Sequence, residues 1–408
     1  MGQISIESSP SVVYHDNMES LLQHQRDDLS AMANSFIEQT AISAVDFQEK
    51  LGVFRKLGEG GYGIVYHASF ELSDDASSIP CVIKFPKVLL KGHDPYLDIS
   101  SGDIQVVSSR SKLNKLGKSI FEQETSSLIR IFTPYKRRHQ QFYDGRFRLM
   151  RTTIKSTDEI LREARRVHSN PGYEYLHKFL HFEPSYYAIL SEPCVGHLLE
   201  AMQNIVHGVA ANKRLAALQV GLAVHYLLFE VQLAHTDIKL ENIFFKICPR
   251  TQQYTFVLSD FGYVDELSGN SGKKVDFQHT DAYIPAALLD KGVRDDEALV
   301  LDTGKIMIFT YCISCLHMGF LKDIFLHGNI QRNFVNPEFL HASRLYKLIK
   351  YYTLPLEKFI VDFANRRSVP FFSSVGDDYK IEFHEALSRG IEEHNKLGKQ
   401  TLKMPRPP

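Results

Sequence analysis

The sequence predicts an α+β protein in two lobes, with a small antiparallel sheet first and a larger helical part after it. Three observations carry that expectation. Between Val53 and Ile83, short β-branched and aromatic runs are broken by glycines and by the polar loop Ser73–Pro80, the pattern of strands joined by turns. From Leu198 onward the apolar residues recur at helical spacing, in runs too long for strands. Strands come first and helices second, rather than in alternation, which favours segregated α and β parts over a parallel sheet.

The elements follow in order. Residues 1–50 carry eight Asp and Glu against two Lys and Arg. Within them Leu21, Leu22, Leu29, Met32, Phe36 and Ile37 suit one or two amphipathic helices, read as an acidic extension packed on its neighbour. The small lobe spans 51–191. Phe54, Leu57, Ile64, Val65, Phe70 and Cys81–Val82–Ile83 mark its first strands, and Tyr175–Phe182 and Tyr186–Ser191 mark two more. Two insertions interrupt it, a polar loop at about 86–118 and a longer stretch at about 133–170. A helix lies between them, with Phe121, Leu128 and Ile131 on one face. Within the second insertion, residues 136–166 hold ten Lys and Arg against four Asp and Glu, a net of +6. That basic segment reads first as a solvated face. A docking surface for a protein partner, or pairing with the acidic extension, is the alternative. Thr157–Asp158–Glu159 would start a further helix there. Glu192–Gly196 leads into the large lobe, 192–385. Its helices are expected at Leu198–His207, Leu215–Val231, 303–318, 340–351 and 379–396, and residues 386–408 form a tail.

Composition narrows the classes. The chain has 408 residues, 44% hydrophobic and 23% charged, with a net charge of −1, so nothing global points to nucleic acid or membrane as the main partner. Five cysteines make no secreted disulfide framework in a chain of this length, which favours a reducing compartment. The apolar run Ile306–Leu321 is short for a membrane span, contains His317 and suits a buried helix, with Cys312 and Cys315 as small core residues. No basic-then-apolar signal opens the chain, and Ile6 stands where a myristoylation signal starting at Gly2 needs Ser or Thr. The expected location is cytoplasmic, in the producing cell or in a host cell that receives the protein.

The residues that carry chemistry come in ordered groups. Gly58–Glu59–Gly60–Gly61–Tyr62–Gly63–Ile64–Val65 lies between strand-like runs, and glycines there let backbone N–H groups approach phosphate oxygens closely. A dinucleotide-binding loop of similar spacing would run into a helix, which Ser73–Asp74–Asp75 does not begin. Lys84 ends the run Val82–Ile83–Lys84. Far downstream stand His235–Thr236–Asp237–Ile238–Lys239–Leu240–Glu241–Asn242 and then Asp260–Phe261–Gly262. Together these supply a base for a hydroxyl, positive charge for phosphate and two oxygen ligands for Mg²⁺.

In order and spacing these groups resemble the eukaryotic-type protein kinase superfamily, over roughly residues 50–370. The resemblance implies a bilobal kinase-like fold and transfer of the γ-phosphoryl group of ATP to Ser or Thr hydroxyls of a protein substrate. The cation would be Mg²⁺, with Mn²⁺ as the alternative. It gives Gly58, Gly60, Gly61 and Gly63 to the phosphates, Val65 to the adenine, and main-chain groups of Glu192 and Cys194 to the adenine edge behind the small residue Ser191. Lys84 would reach the α- and β-phosphates and pair with a helix carboxylate, Glu124, with Glu163 as the alternative. Asp237 would accept or orient the hydroxyl proton, Lys239 steady the transferred group, Asn242 and Asp260 hold metal, and Thr280 support Asp237 and Lys239. Lys239 and Thr280 are what favour Ser/Thr over Tyr acceptors.

The chain also departs from the family. Thr236 replaces the arginine that grips a phosphorylated activation segment, and it has neither the charge nor the fork of donors to do so. Activity is therefore expected not to depend on phosphate at Ser268 or Ser271. Ala286 in Ile284–Pro285–Ala286 replaces a glutamate, Gly304 stands where tryptophan is frequent, and the chain has no Trp. These changes leave two other classes open: an inactive scaffold of the same fold, and an enzyme phosphorylating a small molecule or lipid.

Overall fold

The computed structural model describes residues 51–59, 63–71, 78–86, 97–98, 105–106, 115–132, 166–183, 188–203, 207–267, 283, 302–318, 354–365, 378–398, 400–405 and 407. The acidic extension, most of both insertions and the expected 340–351 helix lie outside the described residues. What is described is a mixed α and β protein with small antiparallel sheets and several helices. It divides into two compact units. The first holds the residues up to Glu122 with Lys178–Pro193 and Ile247–Gln253; the second holds the rest.

The first unit is built on one five-stranded sheet. Strands β1 (Leu51–Glu59), β2 (Gly63–Glu71) and β3 (Ser78–Pro86) form a meander. Short β4 (Leu97–Asp98) and β5 (Gln105–Val106) pair with each other inside the stretch read as a plain loop. Later in the chain β6 (Phe179–Glu183) and β7 (Ala188–Ser191) complete the order β1-β2-β3-β7-β6, antiparallel throughout. One face is dry. Ile64, Tyr66 and Ala68 on β2 and Cys81, Ile83 and Phe85 on β3 are buried, while Val65, His67, Val82 and Lys84 between them are half-buried. That two-residue alternation is what a sheet with one packed face imposes. Tyr66 and Phe85 meet edge to face at 6.0 Å on the packed side. The strand read as starting at Tyr175 starts at Phe179. Asn170 caps a 3₁₀ turn, Pro171–Tyr175, by accepting from the Gly172 N–H at 2.9 Å, and Leu176 makes only a lone bridge to Leu258.

Helix α1 (Lys115–Phe132) begins among the residues of the first unit and ends among those of the second; Phe121, Leu128 and Ile131 on it are buried as their spacing predicts. Helices α2 (Leu198–Gln203) and α3 (His207–Ala211) stand where one helix to His207 was expected. Helix α4 (Lys213–His225) continues as a π turn, Tyr226–Val231. Every residue from Leu215 to His225 is buried, so α4 is the axis of this unit. Its polar groups are used as anchors: the Tyr226 hydroxyl donates to the Ile131 carbonyl at 2.8 Å, and Gln219 Oε1 accepts from the Phe256 N–H at 2.7 Å. The π turn ends at Gln232, left-handed at φ 59°, whose side chain donates back to the Leu228 and Phe229 carbonyls. The stretch Lys213–Val231 is the one helix among the described residues long and apolar enough to cross a membrane, and most of it is buried inside the protein.

Short strands β8 (Gly196–His197), β10 (Ile243–Ile247) and β11 (Tyr254–Leu258) form one sheet, and β9 (Leu233–His235) pairs with β12 (Val264–Glu266). Helix α5 (Thr303–His317) is capped by Asp302, whose Oδ1 accepts from the Lys305 N–H at 3.0 Å and from the Tyr379 hydroxyl at 3.1 Å. A side chain at Gly304 would place its Cβ 2.5 Å from that hydroxyl, which accounts for glycine there. Helix α6 (Pro355–Asn365) was not anticipated, although Leu356, Phe359, Ile360 and Phe363 behind Pro355 spell a helix start and an apolar face. Helix α7 (Asp378–Lys396) is the last helix among the described residues. Cys81, Cys312 and Cys315 are buried and Cys194 and Cys248 half-buried, all five as thiols. Burial pushes the Cys81 thiol up to about 12 and raises that of Cys315.

Candidate active site

In the first unit Gly58 lies near the end of β1 and Gly63 opens β2. The register pairs Gly58 with Val65, and Val65 in turn with Lys84 across the next ladder. Val65 and Lys84 therefore share the less buried face of the sheet. Space at Gly63 is taken by the lysine: a Cβ there would lie 2.9 Å from Lys84 Cε and 3.2 Å from the Phe85 carbonyl oxygen. The lysine stem thus crosses bare backbone, while around Gly58 nothing lies within 4 Å of such an atom. Gly60 and Gly61 lie outside the described residues. At the end of β7, Glu192 is buried. Its N–H donates to the Lys178 carbonyl at 3.0 Å and its carboxylate accepts from the Lys178 N–H at 3.0 Å.

In the second unit, β9 delivers the chain into a loop that folds on itself. Asp237 is buried, and its Oδ2 accepts from Lys239 Nζ at 2.7 Å and from Asn242 Nδ2 at 3.2 Å. Asn242 Nδ2 also donates to the Asp237 carbonyl at 2.8 Å. A carboxylate, an ammonium and an amide are thereby held in one knot six residues long. With its Nδ2 engaged, the Asn242 side chain has Oδ1 as its acceptor end. The Asn242 carbonyl accepts from the Ser259 N–H at 2.9 Å, which brings the loop to the residue before Asp260.

His235 organises the same region. Its Nδ1 accepts from the Asp237 N–H at 3.3 Å and its Nε2 lies 2.9 Å from the Ser259 carbonyl, an arrangement that needs the neutral Nε2–H tautomer. Full burial lowers its pKa, against the pull of Asp237 and Asp260. Ser259 is held from the other side by His177, whose Nδ1 lies 2.8 Å from its hydroxyl. Asp260 has φ 61° and ψ 65°, a left-handed backbone unusual for aspartate, of the kind that clusters at functional sites. Its Oδ1 lies 3.8 Å from the point a Gly262 Cβ would occupy, and Glu124 Oε2 lies 4.0 Å from it. Phe261 between them is buried, its ring edge-on to Phe132 at 6.0 Å and to His235 at 5.8 Å.

Helix α5 supports the loop from beneath. The Ser314 hydroxyl donates to the Ile238 carbonyl at 2.9 Å, and Met307 Sδ accepts from the His235 N–H at 3.2 Å. Sequence reasoning missed both residues, as well as His177 and Phe132, because each lies within an element read only for its apolar face. Thr236 turns to the strand after Gly262, its N–H donating to the Tyr263 carbonyl at 3.1 Å. Thr280 and Glu163 lie outside the described residues. Tyr283 is buried against His317, and burial raises its hydroxyl pKa.

Among the described residues no cluster of three or more His, Cys, Asp or Glu is arranged to hold a metal by itself. Asn242 and Asp260 offer two oxygen ligands. That donor set fits Mg²⁺, or Mn²⁺, when phosphates and water complete the shell, and does not fit a closed structural site. Comparison of the chain with protein-family models and with curated proteins gives no match.

Proposed function

We propose that this chain is an ATP- and Mg²⁺-dependent protein kinase of bilobal fold that phosphorylates Ser or Thr hydroxyls. The observation that carries the reading is the buried Asp237 carboxylate, shared by Lys239 and Asn242 and linked through Ser259 to Asp260. A hydroxyl needs a fixed acceptor for its proton, and the phosphoryl group needs a cation beside it. Both stand in this knot at hydrogen-bonding distance from each other.

On this reading Asp237 orients the attacking hydroxyl and takes its proton. Lys239, held at 2.7 Å, is poised to exchange that contact for the oxygens of the transferred group. Asn242 Oδ1 and Asp260 would hold the divalent cation, which when bound would neutralise phosphate charge. The glycines of the stretch 58–63 would let backbone N–H groups approach phosphate, and Lys84 would add its charge to the same oxygens. Glu124, or Glu163 as the alternative, is the carboxylate this reading gives to Lys84; Glu124 is buried and its Oε2 lies near Gly262. His235 stays neutral and serves as scaffold.

The test is incubation of the purified chain with γ-labelled ATP, Mg²⁺ and a general protein acceptor. Label on acceptor Ser or Thr that is lost in Asp237→Ala supports the proposal. Nucleotide binding without transfer would instead make the chain a scaffold, and label confined to a small molecule or lipid would move it to another substrate class.

A further inference from the structure

The strand that follows Asp260–Phe261–Gly262 is pinned from several directions without any phosphate. β12 pairs residue by residue with β9, Val264 against His235 and Glu266 against Leu233. Thr236 donates its N–H to the Tyr263 carbonyl at 3.1 Å, and the Leu267 N–H donates to the Gln232 carbonyl at 3.3 Å. The Glu266 carbonyl accepts from the Thr303 hydroxyl at 3.0 Å. With its backbone so placed, Glu266 directs its carboxylate to Arg130 in the last turn of α1, at 2.7 Å. A cation also sits well at that end of a helix, near unpaired carbonyls. Arg130 is the outer member of a row: Ile131 next to it receives the Tyr226 hydroxyl, Phe132 meets Phe261, and Glu124 lies two turns back beside Gly262.

We infer that Glu266 is a resident anionic latch: its carboxylate, through Arg130, holds α1 and the strand after Gly262 in one register, doing without modification what a phosphorylated segment does when an arginine grips it. The inference rests on the kinase reading for its meaning and on the contacts above for its mechanics. It explains why a residue with no charge suffices at 236. No arginine is needed there, because the anion is encoded at 266 and its arginine lies on α1. The latch is half in water, with the Glu266 side chain 72% exposed and Arg130 21% exposed. Its effect should therefore be a few-fold modulation rather than all or none. Arg130 and Glu266 are positioning residues, acting through Glu124 and the Asp260 backbone.

Amide hydrogen exchange and steady-state phosphorylation, measured on the full chain, on Arg130→Glu and on the exchanged pair Arg130→Glu/Glu266→Arg, decide it. The single reversal is expected to speed exchange at the Thr236 and Leu267 amides and to lower kcat, each by about fivefold, with KM for ATP within about twofold. The exchanged pair should restore both. Unchanged exchange in Arg130→Glu, or an exchanged pair that stays as loose as the single reversal, overturns the latch. So does an enzyme silenced by phosphatase treatment. A native chain that transfers no phosphoryl group removes the kinase reading instead, and the exchange measurements then judge the latch alone.

Discussion

At the scale of single residues, the site is built by making each polar atom do two things. Asp237 Oδ2 holds both Lys239 and Asn242, and Asn242 Nδ2 holds two oxygens of Asp237. Such sharing fixes rotamers before any ligand arrives, as the roles proposed for Asp237 and Lys239 require. Lys84 has a comparable constraint, its stem crossing the bare backbone of Gly63. Lys84→Ala is expected to slow phosphoryl transfer at least about a hundredfold, measured as single-turnover rate with saturating ATP. Replacing Tyr226 by Phe removes one buried hydrogen bond to the Ile131 carbonyl. A loss of about 1 kcal/mol in denaturant-measured stability is expected. The knot at Asp237 was legible from sequence because its members are within five residues of one another, so local spacing dictates who can meet. The partnership of Arg130 with Glu266 was not, since 136 residues separate them and no periodicity records such a pairing.

At the scale of elements, α4 decides where its neighbours go. Gly172 lies so close that an added Cβ would fall 2.0 Å from the Leu222 carbonyl oxygen and 2.6 Å from Tyr226 Cβ. A backbone carbonyl and a Cβ fixed to its own backbone leave nothing flexible to yield. Gly172→Ala should therefore cost about 3 kcal/mol by denaturant titration, at the upper end of what overpacking exacts. Ser268 and Ser271, beyond β12, lie outside the described residues, but Thr236 beside β12 has a consequence for them. Since Thr236 offers its N–H and hydroxyl to Tyr263 and no charge to a phosphate, alanine at both Ser268 and Ser271 should keep phosphorylation rates within about twofold of the parent. Strands β2 and β3 could be read from composition because a sheet with one dry face writes its period into the sequence. The start of β6 could not, because Asn170 and Pro171 capture Tyr175 in a turn that its aromatic neighbours disguise as strand. Helix α5 was legible as apolar but not as a support, since Met307 and Ser314 act through a sulfur and a hydroxyl that burial patterns ignore.

At the scale of the whole molecule, buried histidines among the described residues weaken the fold in acid. Burial holds His225 down to about 3 and His317 down to about 4, from an ordinary value of 6.5, and lowers His384 and His235 as well. In the unfolded chain these rings take up protons near pH 6.5. Below that value the unfolded state therefore binds more protons than the folded one, and stability falls with the pH. For His225, whose Nε2 lies 2.9 Å from His384 Nδ1, the loss from pH 7 to pH 5 should be about 2 kcal/mol. Stability curves at the two pH values should differ less by that amount in His225→Gln. The division into two compact units adds a further consequence, carried by sulfur. Cys81 is sealed in the first unit, Cys312 and Cys315 in the second, while Cys194 and Cys248 are half-buried. An alkylating pulse applied along a denaturant series would tag the sealed positions only as their own unit opens. Peptide mapping of those tags would then time the opening of each unit separately.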